Sequence, residues 1–288
     1  MAKGRELKGR IKSVENTRKI TKTMEMVATS KMKRAQDRVV AARPYANALG
    51  DVISGLYSVE LAERFPLLRQ PSGKAKRAAV LMFTGNRGLA GAFNSNIIKE
   101  ARALIARLEG EGTEVAIHAV GKKGLGYWRY VGRPVASSRI DIGDAPTGQT
   151  AGELVDGLMR DFAAGNLDAV YVVYARFVSA LSTPATSQRV LPVTVPERKG
   201  PAPDYILRPS AEAILQELLP SYVRNAVYRA MVETIAGFYS AQRTAMKNAT
   251  DNAGEMLNIL RRTYNRARQA QITQEIAEIV GGSAALEG

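Results

Sequence analysis

The stretch TKTMEMVATSKMKRAQ, Thr21–Gln36, decides how this chain is read. It lies in a run from Ala2 to Arg43 that has no proline and only Gly4 and Gly9 near its start, the composition of one long helix. Stepping from Leu7 by alternate fours and threes gives Leu7, Ile11, Val14, Arg18, Thr21, Glu25, Ala28, Met32, Ala35, Val39, Ala42, Ala46, Leu49, Ile53 and Leu56. That is a heptad seam, but its first half carries polar and small residues where a core helix carries Leu and Ile. Pro44 cannot donate to the carbonyl of Val40, so a kink is expected near RPYA, and the helix should end before Pro66.

Such a seam needs a second helix, and the far end of the chain supplies one. From about Ser210 to Val280 the pattern is helical, with Pro220 near its start. The spacing predicts a seam through Met231, Ile235, Phe238, Gln242, Ala245, Ala249, Asn252, Met256, Ile259, Thr263, Arg266, Ala270, Thr273, Ala277 and Val280. An antiparallel pair is the economical arrangement, because connections are un-knotted and each stripe must be buried on a neighbour. At about 1.5 Å per residue the first helix spans ~80 Å and the last ~95–100 Å, so ITQEIAEIV should project as an exposed tip. An exposed apolar tip calls for a surrounding socket. Gly237 and Gly254 inside the last helix each cost about 1 kcal/mol against alanine and point to close helix contact. MKNATDNAGEM, also inside it, is polar for a coiled-coil seam and suggests facing surfaces beyond the pair.

Between the helices the period changes. RAAVLMF (77–83), EVAIHAV (114–120) and DAVYVVYA (168–175) read as buried strands, and SQRVLPVTV (187–195) as an edge strand, since Pro192 would break a central ladder. SNIIKEARALIARLEGEG and TGQTAGELVDGLMRDFAAGN have helical spacing, the second with Thr147 or Thr150 as N-cap. Strands alternating with helices predict a mostly parallel sheet, and KGPAPDYILRPS a proline-rich connection out of it. The fold class expected is α/β: an antiparallel coiled coil of the long N- and C-terminal helices with an inserted Rossmann-like α/β domain. The shaft takes residues 1–60 and 210–288, the α/β domain residues 74–205.

Composition bounds the chemistry. The 288-residue chain has no cysteine, which removes disulfides, thiol nucleophiles and thiolate metal sites and fits a reducing compartment. No apolar run approaches the ~20 residues of a membrane span, and MAKGRELKGRIKS has no signal-peptide core. A net charge of +14 points to an anionic partner: nucleic acid, an anionic membrane surface or an acidic protein.

FTGNRGLAGAFNSN is the most enzyme-like stretch, a glycine-rich turn after a strand. Gly85, Gly88 and Gly91 run G-x-x-G-x-x-G, which is neither the dinucleotide fingerprint nor a P-loop. A structural turn is the better reading, with Arg87 as the local phosphate-binding candidate. His118, the single histidine, alternates with buried positions in EVAIHAV and reads as a packed strand residue rather than a catalytic base. The carboxylates show no calcium-loop spacing, and no cofactor or metal site is expected. Tyr127 and Trp128 in GYWRYVGR read as packing groups; stacking on bases beside Arg129 is the lesser reading, since no RNP-type motif accompanies them.

IKSVENTRKITKTMEMVATSKMKRAQ at one end and RARQAQITQEIAEIVGG at the other resemble the terminal helices of the gamma subunit of F-type ATP synthase. TGNRGLAGAFNSN and ATDNAGEM also resemble that family, so the likeness covers essentially the whole chain. The resemblance implies a non-catalytic central rotor stalk, turning inside a ring of alpha and beta nucleotide-binding subunits. It further implies an epsilon subunit and a ring of membrane proteolipid c subunits as partners, and a peripheral place on the cytoplasmic face of a bacterial plasma membrane. Carried over by position, Met24 and Lys31 match the N-terminal motif, while Arg268, Gln269, Thr273 and Glu275 match positions that meet the catalytic subunits. Tyr205 lies where the family approaches the proteolipid ring. Arg208 stands where the family usually has an acidic residue, and Ser283 where it has alanine. Without cysteines, the plastid type of thiol switching is not available. The alternatives are a basic coiled-coil protein that binds nucleic acid, suggested by the N-terminal charge, and a nucleotide-binding α/β enzyme, suggested by the glycine turn alone.

Overall fold

A computed structural model describes residues 2–57, 63–70, 73, 75–195, 208 and 210–286, with side chains only within 5–282. The long terminal helices are α1, Ala2–Leu56, and α5, Ala211–Leu286. Pro44 lies inside α1 and Pro220 inside α5. The middle elements are β1 (Arg77–Phe83), α2 (Phe93–Gly110), β2 (Glu114–Val120), α3 (Lys122–Tyr130), β3 (Ser137–Arg139), α4 (Gly148–Ala163), β4 (Ala169–Ala175) and β5 (Ala185–Leu191).

The strands form one sheet in the order β3-β2-β1-β4-β5. The first four are parallel and β5 runs antiparallel on the edge. β1, paired on both sides, buries six of its seven residues, as a central strand covered on both faces must. β5 is the edge strand expected from Pro192, which stands just past its end. On α4 the Thr147 side chain accepts from the backbone N–H of Thr150, and the Thr150 side chain reaches back, a capping box that joins both expected candidates. α3 and the short β3 are elements the hydropathy pattern did not indicate.

Alternation splits the sheet's side chains between two layers. Ala79, Leu81, Phe83, Val172 and Tyr174 join a core made with α4, the end of α1 and the start of α5. Ala78, Val80 and Met82 point to the opposite face, and α2, which packs on β1, β2, β4 and β5, brings Ile97, Ala101, Leu104, Ile105 and Leu108.

By contact density the chain divides into two compact units, Met1–Ala28 with Arg243–Gly288, and Thr29–Gln242. In the first, Glu15 pairs with Arg261 and Thr21 bonds Thr250, so the two helices run antiparallel. In the second, Ala35 and Val39 of α1 pack with Val232 and Ala236 of α5 and with Phe177. On α1 every expected seam residue but Arg18 is buried or half-buried.

On α5 the seam lies one residue on from the expected register. Met246, Thr250, Ala253 and Leu257 are buried, while Asn252, Met256, Ile259 and Thr263 are exposed. The cause is that α5 is buried almost all round from Ala230 to Ser240, so periodicity there cannot choose a face. Side-chain size does not mark the register either, since Met246 and Leu257 lie within the seam and Met256 and Ile259 outside it. Of the two helix glycines, Gly237 is closely approached: a Cβ there would lie 3.1 Å from the Phe93 ring and 3.3 Å from Ala175 Cβ. At Gly254 an added Cβ would meet Arg18 at an ordinary 3.8 Å, so tight packing does not explain that glycine.

Candidate functional site

Two places carry candidate chemistry. The first is the exposed length of α5. Arg268, Gln269, Thr273 and Glu275 are all exposed. Helical spacing sets Gln269 and Thr273 on one face and Arg268 and Glu275 on another. The Thr273 hydroxyl donates to the Gln269 carbonyl at 3.0 Å, and Gln271 donates to Glu275 at 2.9 Å. Beside them Ile272, Ile276, Ile279 and Val280 stand at i, i+4, i+7 and i+8, an apolar stripe turned to solvent over the expected tip. In the same unit, Ile20, Met26 and Val27 of α1 are exposed and Met24 is half-buried. Sequence spacing had not singled out Ile20 and Val27, because they fall outside the heptad seam.

This surface and the seam behind it make different demands. The Thr21 and Thr250 hydroxyls lie 2.8 Å apart and both are buried. Thr250 is also 2.8 Å from the Met246 carbonyl. Replacing either threonine by valine keeps the shape but removes the contact they share and that side chain's own contact with a carbonyl one turn back, Arg18 for Thr21 and Met246 for Thr250, at an expected cost of about 1–2 kcal/mol. The double variant should cost less than the sum of the two, and a double-mutant cycle of chemical denaturation measures the difference.

The second place is a junction around Lys31, the remaining described residue of the expected set. Its ammonium donates to Asp144 at 2.7 Å and to the Tyr239 hydroxyl at 3.1 Å, and lies 5.1 Å from the Tyr239 ring centroid. Two turns along α1, Arg38 donates to the Asp144 carbonyl at 2.6 Å. The segment leading to Asp144 is held by Asn86, whose amide donates to the carbonyls of Ile140 and Ile142 and accepts from the Lys122 N–H. Tyr239 stacks edge-on against Phe238, which does the same against Phe93 of α2. Lys31 therefore binds α1 to the β3–α4 connection and to α5. No local signal marks this, since its partners lie 113 and 208 residues away in sequence.

The junction has a definite pH window. Burial pushes the Asp144 carboxyl up, but hydrogen bonds from Lys31 and the Tyr239 hydroxyl outweigh it and leave the value below the ordinary 3.8. The hydrogen bond to Asp144, with that to Tyr239, raises Lys31 above 10.5. A depressed carboxyl stabilises the fold above its unfolded pKa and loses that contribution as pH falls through its folded value. A raised lysine does the reverse at the alkaline end. The stability gap between the native chain and Asp144→Asn should thus be level from about pH 5 to 9 and close below about pH 4. Asp144 is half exposed, so the gap should be under about 1 kcal/mol. Urea melts across that range measure it.

The other expectations resolve as packing. A Cβ at Gly85 would sit 2.9 Å from the Phe238 ring, so this glycine of the turn makes room for α5. Trp128 is buried and meets Tyr127 edge-on. His118 is half-buried on β2, 2.7 Å from the Ser137 hydroxyl, and burial lowers its pKa and favours the neutral ring. Among the described residues no group of His, Asp or Glu could hold a metal, and no helix is long and apolar enough to cross a membrane. Tyr205 lies outside the described residues, as does the side chain of Ser283, and Arg208 is exposed.

Comparison with known proteins matches residues 3–286 to the family model described as ATP synthase. The chain is 65% identical over 291 residues to the ATP synthase gamma chain of Gemmatimonas aurantiaca, covering the whole of both. Among solved structures it resembles a chain of the Tetrahymena thermophila mitochondrial ATP synthase central stalk and c-ring, at 25% identity and a TM-score of 0.62 over 80% of this chain and 99% of that one. It also resembles a chain of the Euglena gracilis mitochondrial ATP synthase rotor, at 20% identity and a TM-score of 0.67 over 94% of this chain and 99% of that one.

Proposed function

This chain belongs to the gamma-chain family of ATP synthase, and from that premise we propose how it works. It is the central stalk subunit of the rotor, coupling ion flow through the membrane ring to ATP synthesis or hydrolysis by rotation. The division of labour proposed is a shaft, residues 1–60 with 210–288, and an α/β domain, residues 74–205. The chain carries no catalytic site of its own; its chemistry is contact with the alpha and beta subunits, with epsilon, and with the proteolipid c-ring. It sits peripherally, on the cytoplasmic face of a bacterial plasma membrane. No cofactor is needed for that role.

The observation that carries this reading is the exposed stripe Ile272, Ile276, Ile279 and Val280 set among Arg268, Gln269, Thr273 and Glu275. An arginine can pair bidentately with a carboxylate, while Gln, Thr and Glu make short polar contacts that form and break at small cost. A shaft shifts its partners among conformations only by the difference in its contacts with each, so shallow and varied contacts suit it. Met24 and Lys31 are assigned to the same function on the N-terminal helix, and Tyr205 to the approach to the c-ring. The nucleic-acid reading rested on charge, and the family membership supersedes it.

Reconstitution tests the proposal. Mixed with cognate alpha and beta subunits, the purified chain should assemble and restore steady ATP hydrolysis. Failure to assemble, or hydrolysis indifferent to its presence, would refute the rotor role.

A further inference from the structure

The basic rim near the glycine turn is used by nothing described above. At the carboxyl ends of β1, β2 and β3 lies a cavity of about 370 Å³, within the range of small-molecule sites. The carboxyl edge of a parallel sheet is where open α/β folds hold ligands. Its walls include Phe83, Ile142, Met231 and Ile235, so part of any occupant must be apolar.

Its polar groups have an unbalanced account. Thr234 lines the cavity at 5% exposure, and its hydroxyl has no hydrogen-bond partner. Buried hydroxyls are normally satisfied, and one facing a cavity is satisfied most simply by what fills it. Four charged side chains line the space. Arg139 is spent on Asp141 and Glu153, and Asp144 on Lys31. Arg87 and Lys122 make no ion pair among the described residues; Arg87 lies near enough to Asp144 to feel its charge, but that carboxylate is bonded to Lys31, so both cations remain open to a ligand at the mouth. Gly85 is taken up by packing on Phe238, and the open cations at the mouth are side chains, so a phosphate here is assigned to side chains.

We propose that this cavity, lined by Thr234 and rimmed by Arg87 and Lys122, binds a phosphate monoester of mononucleotide size. The phosphate takes the two cations, the Thr234 hydroxyl donates to an acceptor on the ligand, and the organic part lies along the apolar wall. Occupancy would join the β1–α2 turn to α5, two elements that bound the space.

Isothermal titration of the full chain at low salt tests this, with AMP as probe and adenosine and inorganic phosphate as controls. AMP should saturate at one site per chain, and each control should bind at least tenfold more weakly. Arg87→Gln with Lys122→Gln should weaken AMP at least tenfold, and Thr234→Val several-fold, with helical circular dichroism unchanged. Lys122→Gln alone, exposed on the first turn of α3, serves if the others disturb the fold. No saturable binding, binding indifferent to these substitutions, or adenosine or phosphate binding as well as AMP would overturn the proposal.

Discussion

Phe162→Ala should melt well below the native chain, at a cost of about 3–5 kcal/mol. Phe162 is among the largest fully buried side chains, on α4 in the core shared by the sheet, α1 and α5. Truncation removes the transfer energy of a ring and leaves a cavity that helices joined on several sides cannot close. For a body of this size each kcal/mol moves the midpoint by ~2–4 °C, so the drop should be roughly 6–20 °C by scanning calorimetry. Phe162→Leu should lose less, because it refills most of the volume. Equal losses for both would mean that the site collapses around either.

Ala236→Asp should be worse for assembly than for the sheet. Ala236 has 0% exposure and is enclosed by Ala35, Val39, Phe177 and Val232, none of which can neutralise a carboxylate. The nearest charge along the helix, Glu233, is buried, accepts the Phe177 N–H at 3.0 Å and has the same sign. An unpaired carboxylate there costs several kcal/mol or must take up a proton. The expected result is loss of α1 from α5 at this cluster and ATP hydrolysis near background in reconstitution with alpha and beta subunits. Ala236→Ser, close to the same volume, should retain most of the activity. Protection of α1 and α5 amides from hydrogen exchange separates helix parting from general unfolding.

Much of this was legible because the signals were strong and local. β1 and β2 were read to the residue, β1 because a strand buried on both faces is a bounded apolar run and β2 because turn residues bound its apolar run, and Pro192 marked the edge. Thr147 and Thr150 announced the start of α4. Where the pattern was silent, the physics explains it: α3 carries Gly124 and Gly126 in nine residues, and β3 has three residues, too few for any period. The register of α5 slipped because a helix buried on every side gives its apolar residues no preferred direction. Arg268, Gln269, Thr273 and Glu275 were candidates by position alone, and the structure adds that they are exposed, whereas the Lys31–Asp144–Tyr239 junction had no such signal, since only the folded sheet brings Asp144 to α1.

The pairing of Glu15 with Arg261 spans 246 residues of sequence, and that distance is also a delay. During synthesis at about 5–20 residues per second, the N-terminal helix emerges roughly 12–50 s before the segment that completes its seam. A first strand rich in Leu and Ile would spend that time as adhesive surface. Threonine, alanine and methionine among lysines and arginines keep it soluble while it waits, so the muted seam of residues 21–36 also serves the growing chain on the ribosome.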